Sequence, residues 1–240
     1  MTTVDTLSNH LAGISLTELP KTFREAVEIT RGIGIRYLWI DSLCIIQGHK
    51  QDWHEQAEHM GMLYAHAYLT IAASDAKNST EGCFFHVDTK ASMVCLPFYS
   101  GEGKVTGHFC LYSTGRYGRR IGDPYVGPLS SRAWALQEWR LSRRMLHCTK
   151  GGLIWECRHI CLDEKNVQQK RKKHMDEDWD DLINTYTQSM LTYATDRLVA
   201  LRGMINAIQQ TRSDRIISVY GQMICRGVPY GPSRAKVWKA

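Results

Sequence analysis

Apolar positions in the first third of the chain change period twice. Over residues 20–31, "PKTFREAVEITR", Phe23, Ala26 and Val27 recur at helical spacing behind a proline suited to a first turn, and Gly32 follows as a stop. Four apolar residues in a row, "YLWI" at 37–40, then read as a buried strand ending at Asp41. From about residue 52 to 64 the helical period returns. Ala57, Met60, Gly61 and Tyr64 share one face there, and Asp52 is the candidate N-cap. "AYLTIAAS" at 67–74 reads as the next strand. Strand, helix, strand is a βαβ unit, which predicts parallel strands joined by a right-handed crossover.

Residues 75–127 are richer in Gly and Ser and hold two short strand-like runs, "MVCLPFY" and "HFCLYS", read as a β-rich insertion or hairpin. Strong patterning resumes at "GPLSSRAWALQEWRLSRRMLHCT". Ser130 or Ser131 can cap a helix running to about Leu141. "RMLHCT" and "GLIWECR" read as a strand pair joined by Lys150, Gly151 and Gly152. Three helical segments, at about 179–191, 196–210 and 214–226, then close the chain. The fold class expected is α/β: a mostly parallel sheet flanked by helices, with a β-rich insertion at 75–127. An α/β domain over 1–157 is followed by a charged loop at 158–178 and a helical extension over 179–240 that packs on it.

Composition narrows the class. At 240 residues, 43% apolar and 22% charged, the chain can bury a sizeable core. No apolar run approaches the ~18–20 residues of a membrane span. The first residues have neither a basic nor an apolar leader region, so a cytoplasmic protein with its eight cysteines reduced is expected. The net charge of +6 is mild, and part of it comes from "QQKRKKH" at 168–174. No aromatic residues interleave that run, which argues for a solvated loop and against a nucleic-acid partner.

The stretch "HEQAEH" at 54–59 brings a zinc-protease helix to mind and fails on geometry. The H-E-x-x-H pattern needs histidines four apart, and five apart they diverge by roughly 140° around the helix. Glu55 with His59, and His54 with Glu58, can instead pair on the polar face of that helix. "CRHIC" at 157–161 lacks the second cysteine pair that would mark a zinc site, so no metal is expected. Walker, dinucleotide and G-x-S-x-G motifs are all missing. On the helix ending at Leu141, Trp134, Gln137, Glu138 and Leu141 share a face. A carboxylate on a helix this apolar needs a charged partner (Arg132, Arg144 or Arg197) or a raised pKa in a cleft. Asp41, at a strand end, either caps the next turn or lines a ligand crevice.

Three blocks resemble the fungal heterokaryon-incompatibility (HET) domain. They are "LPKTFREAVEITRGIGIRYLWIDSLCIIQ" continuing through "DWHEQAEHMGMLYAHAYLTIAAS", then "GPLSSRAWALQEWRLSRRMLH" followed by "WEC", and "LTYATDRLVALRGM". The family pattern usually opens with an "LSYxWG" strand, and this sequence begins just after where that would lie, as expected of a short form. The resemblance implies a TIR-like core and a role in fungal non-self recognition and programmed cell death. Partners would be further copies of the chain or other HET or NLR-type proteins. Some TIR domains cleave NAD with a glutamate, so NAD is a candidate substrate. On that reading Glu55, beside Trp53, is the first catalytic candidate, Glu138 the second and Asp41 their neighbour. Trp53, His59, Arg132, Trp134 and Gln137 would bind the ligand. From another class, a small-molecule enzyme of fungal secondary metabolism would use Asp41, Glu55, Glu138 and His59 as acids and bases in an apolar pocket. An inactive regulator that binds relatives through an exposed sheet edge is a third reading.

Overall fold

A computed structural model describes residues 1–85, 94–111, 123–164, 168, 179–212, 215–219, 222–226 and 236–239. Most of the basic run at 168–174 lies outside them.

Helix α1 (Leu7–Ala12) precedes α2 (Lys21–Gly32), the short α3 (Asp41–Cys44) and the long α4 (Lys50–His66). Strand β1 (Thr70–Ala72) follows, then β2 (Val94–Tyr99) and β3 (Val105–Leu111), which pair as an antiparallel hairpin. Helix α5 (Ala133–Leu141) leads into β4 (Arg144–Thr149), β5 (Gly152–Cys157) and β6 (Cys161–Asp163). Helices α6 (Trp179–Thr187) and α7 (Val199–Arg212) come next. Strands β7 (Arg215–Val219), β8 (Gln222–Arg226) and β9 (Lys236–Lys239) form an antiparallel sheet.

The main sheet runs β1-β4-β5-β6. It is mixed: β1 and β4 are parallel, with Thr70 opposite Met145 and Ala72 opposite His147, and the other two pairs are antiparallel. The expected strand at 37–40 does not form. Ile40 is extended, at φ −134° and ψ 121°, but among the described residues no strand pairs with this segment. Without ladder partners an apolar run stays coil, whatever its propensity. The parallel crossover therefore joins β1 to β4 through α5. The helix expected over 214–226 is also corrected, to β7 and β8. Ile216, Ile217 and Val219 are β-branched and favour the strand.

Helix ends differ in detail from their sequence signals. His49, not Asp52, caps α4: its Nδ1 accepts from the Asp52 amide at 3.1 Å. Asp52 reaches back to accept from the Ile46 amide at 2.6 Å. Ser130 and Ser131 sit in a 3-10 turn, donating to the carbonyls of Gly127 and Pro128, and do not cap α5. Its first amide, Ala133 N–H, donates to Met190 O at 3.0 Å instead.

Helix α5 is the centre of the packing. Ala133, Leu136 and Leu141 meet Leu182, Ile183 and Tyr186 of α6 and Ala200, Leu201 and Met204 of α7. Trp139, on its other side, meets Ala72 and Met145 of the sheet. Where α4 crosses α7 the backbones nearly touch: a Cβ on Gly61 would lie 2.9 Å from the Gly203 Cα. Gly203 N–H donates to the buried Gln137 Oε1 at 3.2 Å, which ties α5 into the same crossing. Polar groups inside the sheet are satisfied as a chain. Ser74 Oγ is 3.1 Å from His147 Nδ1, and His147 Nε2 is 2.9 Å from Glu156 Oε2.

The expectation of reduced cysteines fails at one place. Cys95 is disulfide-bonded, and Cys110 stands opposite it in the β2–β3 register. Cys44, Cys83, Cys148, Cys157 and Cys161 are free thiols.

Candidate functional site

A cavity of about 810 Å³ opens between residues 37–41, the C-terminal half of α4 and β1. Its walls are mostly apolar, from Phe23, Leu38, Trp39, Ile40 and Ile71 among others. Four polar side chains face one another there: Asp41, Tyr64, Arg132 and Glu138. Each is delivered by a different piece of chain. Asp41 begins α3, Tyr64 lies on the inner stripe of α4, Arg132 immediately precedes α5, and Glu138 lies on α5.

Glu138 is half-buried and lines the cavity. Desolvation raises its pKa from the ordinary 4.5 to about 7, with the Asp41 carboxylate adding to the rise. Arg132 and a hydrogen bond donated by the Tyr64 hydroxyl oppose the shift without cancelling it. Burial, then the Glu138 and Asp41 charges, push the Tyr64 phenol well above its usual range. Asp41 is exposed at the mouth, where its Oδ1 also accepts from the Ser42 amide at 2.7 Å. Asp41 lines the cavity but does not cap α3, whose N-cap is Ile40 and has no side-chain capping bond. The result is a carboxyl that changes charge near neutrality, beside a second carboxylate, a phenol and a guanidinium.

The structure divides the other candidates. Glu55 does not line the cavity; it is exposed on α4 and accepts from Gln51 Nε2 at 3.0 Å. His59 does line it, at the exposed edge, with Nδ1 held 2.6 Å from the Glu55 carbonyl oxygen and not by the Glu55 carboxylate. Glu58 pairs with Arg202 at 2.7 Å, not with His54. Trp53 and Trp134 pack edge to face, centroids 6.5 Å apart, and join α4 to α5 away from the cavity. Gln137 is fully buried at the helix crossing. Sequence patterning assigned Tyr64 to the core stripe and missed its polar end. Trp39 meets its ring edge-on at 5.9 Å, so the ring packs while the hydroxyl serves Glu138.

Among the described residues, no group of three or more His, Cys, Asp or Glu side chains is arranged to hold a metal ion, and no helix is long and apolar enough to cross a membrane. Comparison with family models matches residues 2–138 to the family described as "Heterokaryon incompatibility protein (HET)", more than half of the chain. The matched span includes Asp41, Tyr64 and Arg132 and ends on Glu138. Searches of curated proteins and of solved structures each returned no match.

Proposed function

The chain belongs to the heterokaryon incompatibility (HET) family, and on that premise we propose that it is a non-self-recognition effector whose cavity hydrolyses NAD. The observation that carries this reading is the meeting of Glu138 with Asp41, Tyr64 and Arg132 in one largely apolar cavity. A volume of about 810 Å³ falls in the range that takes a small-molecule ligand. Glu138, when ionised, stands where positive charge would develop on the ribose as nicotinamide leaves, and water then completes ADP-ribose. Tyr64 holds that carboxyl in place. Arg132, exposed at the edge, is suited to the pyrophosphate. Loss of NAD would then be the toxic event in a cell-death response.

The test is incubation of the purified protein with NAD and measurement of released nicotinamide. Turnover is expected to rise with pH through about 7, because the reaction needs the ionised form of Glu138. Glu138→Gln should reduce it by about 100-fold or more. Absence of nicotinamide release at high protein concentration, with toxicity on expression in a fungus intact, would eliminate hydrolysis and leave oligomeric assembly as the mechanism.

A pKa of about 7 on Glu138 favours one other reading. A carboxyl still protonated near neutrality, beside Asp41, is also the arrangement of an acid–base pair in a small-molecule enzyme of secondary metabolism. The pH profile separates the two. A rate that falls as pH passes 7, with no action on NAD, identifies Glu138 as a general acid.

A further inference from the structure

The β2–β3 hairpin presents an apolar face that serves neither the buried core nor the cavity. In an antiparallel ladder, residues opposite one another share a face and alternate positions switch faces. Val94 stands opposite Leu111, Leu96 opposite Phe109 and Phe98 opposite Gly107, so these six make up one face. Disulfide-bonded Cys95, Pro97 and His108 turn to the other.

The five large side chains on the apolar face are each between 48% and 60% exposed. Phe98 and Phe109 pack edge to face across the strands, centroids 5.2 Å apart, and each still leaves about half its surface in solvent. Half-exposed side chains of this size present about 100 Å² each, so the patch measures on the order of 500 Å². That is the upper end of what a monomeric protein leaves uncovered. A two-stranded hairpin is also marginal by itself, because one face must be buried to offset the cost of ordering the strands.

Three properties of the patch point to a second copy of the chain as its cover. It carries no charged side chain, so its complement is another apolar face. It holds a ridge and a recess side by side. The Phe98 ring stands next to Gly107, where a Cβ would meet nothing within 4 Å. A two-fold contact needs both on one patch, since each copy must offer what the other receives. The area suffices as well: two such patches face to face remove about 1,000 Å² from water, the size at which a specific interface begins.

We propose that this face is the contact between two copies of the chain, packed hairpin on hairpin about a two-fold axis. Phe98 of each copy lies over Gly107 of the other. The two hairpins then make a small sandwich that covers both apolar faces at once.

The test is sedimentation velocity on the full chain in non-reducing buffer, over a series of concentrations. One chain is expected to convert to two as the concentration passes through about the micromolar range, as suits an interface of this size. Phe98→Glu should weaken the dimer by about 100-fold or more, because association would bury two unpaired carboxylates. Position 98 is half-exposed in the single chain, so circular dichroism of this variant should match the parent. Gly107→Val is the second variant. The free hairpin has room for that side chain, and filling the recess should weaken the dimer about tenfold with folding intact. A chain that stays single at every concentration, or a dimer that either substitution leaves unchanged, overturns the proposal. So does flotation of the parent protein with neutral phosphatidylcholine vesicles in place of self-association, which would make the face a lipid-binding surface. These readouts do not involve the cavity and are independent of whether it acts on NAD.

Discussion

Gln137 and Glu138 are adjacent on α5 and serve two regions with opposite needs. Gln137 enters the α4–α5–α7 crossing, where Gly61 and Gly203 let backbones approach and its Oε1 accepts from Gly203 N–H. Glu138, one residue and about 100° further round, enters a cavity where a second carboxylate raises its pKa further. The crossing spends its polar group on fixing one geometry. The cavity keeps a polar group in a state that packing alone would not select, a carboxyl poised between charge forms. Burial of polar residues on an apolar helix therefore has two meanings here, and they are distinguished by what each side chain faces.

The sharpest way to break this comparison is to fill the crossing. Gly203→Leu places side-chain atoms against the Gln137 amide, which would have to leave its bond to Gly203 N–H, and against the Gly61 backbone, which cannot give way. Overpacking of this kind costs about 3 kcal/mol or more. Chemical denaturation should show that loss, together with loss of the cavity, because Tyr64 lies on the same helix as Gly61.

Glu138→Gln probes the other region and should act in the opposite direction at alkaline pH. The folded-state pKa of Glu138 lies above its unfolded value, so its favourable contribution is complete below about 4.5. It declines as pH rises through about 7. The neutral amide has no such dependence. Stability curves of the two proteins should thus converge below about 4.5, diverge between about 4.5 and 7 in favour of the variant, and stay apart by about 3 kcal/mol above that. Parallel curves between pH 4.5 and 7 would mean Glu138 is not perturbed.

Asp41→Asn sharpens the assignment of cause. Removing that charge should move the Glu138 titration to lower pH, while Arg132→Met should move it higher, both readable by NMR of the side-chain carboxyl. The smallest effect is expected at Glu55→Gln. This side chain is exposed and, among the described residues, accepts a bond from Gln51, so stability should stay within about 0.5 kcal/mol and NAD turnover should be unchanged. A large loss of turnover there would return Glu55 to the reaction and count against the cavity.

The elements most readable in the sequence were those whose signal is local. The apolar stripe of α4, the helix α5 and the β4–β5 pair follow from periodicity and a glycine-bearing turn within a few residues. The segment 37–40 was misread because a run of four apolar residues signals burial without saying whether a strand lies alongside. The hydroxyl of Tyr64 was missed because the ring satisfies the core pattern and hides the polar end. Glu55 was ranked above Glu138 on its place after a strand that does not form. Gln137 looked like a ligand contact because no sequence feature announces a glycine on another helix.

By itself the sequence determined membership of the HET family, the helices with strong stripes and the presence of an acid on an apolar helix. Periodicity and motif spacing are properties of neighbouring residues, so one strand of text carries them. Only the tertiary structure decided that Glu138 meets Asp41, Tyr64 and Arg132, and that Glu55 stays in solvent. Those encounters depend on how distant segments cross, and a pKa is set by whatever the crossing brings within a few ångströms.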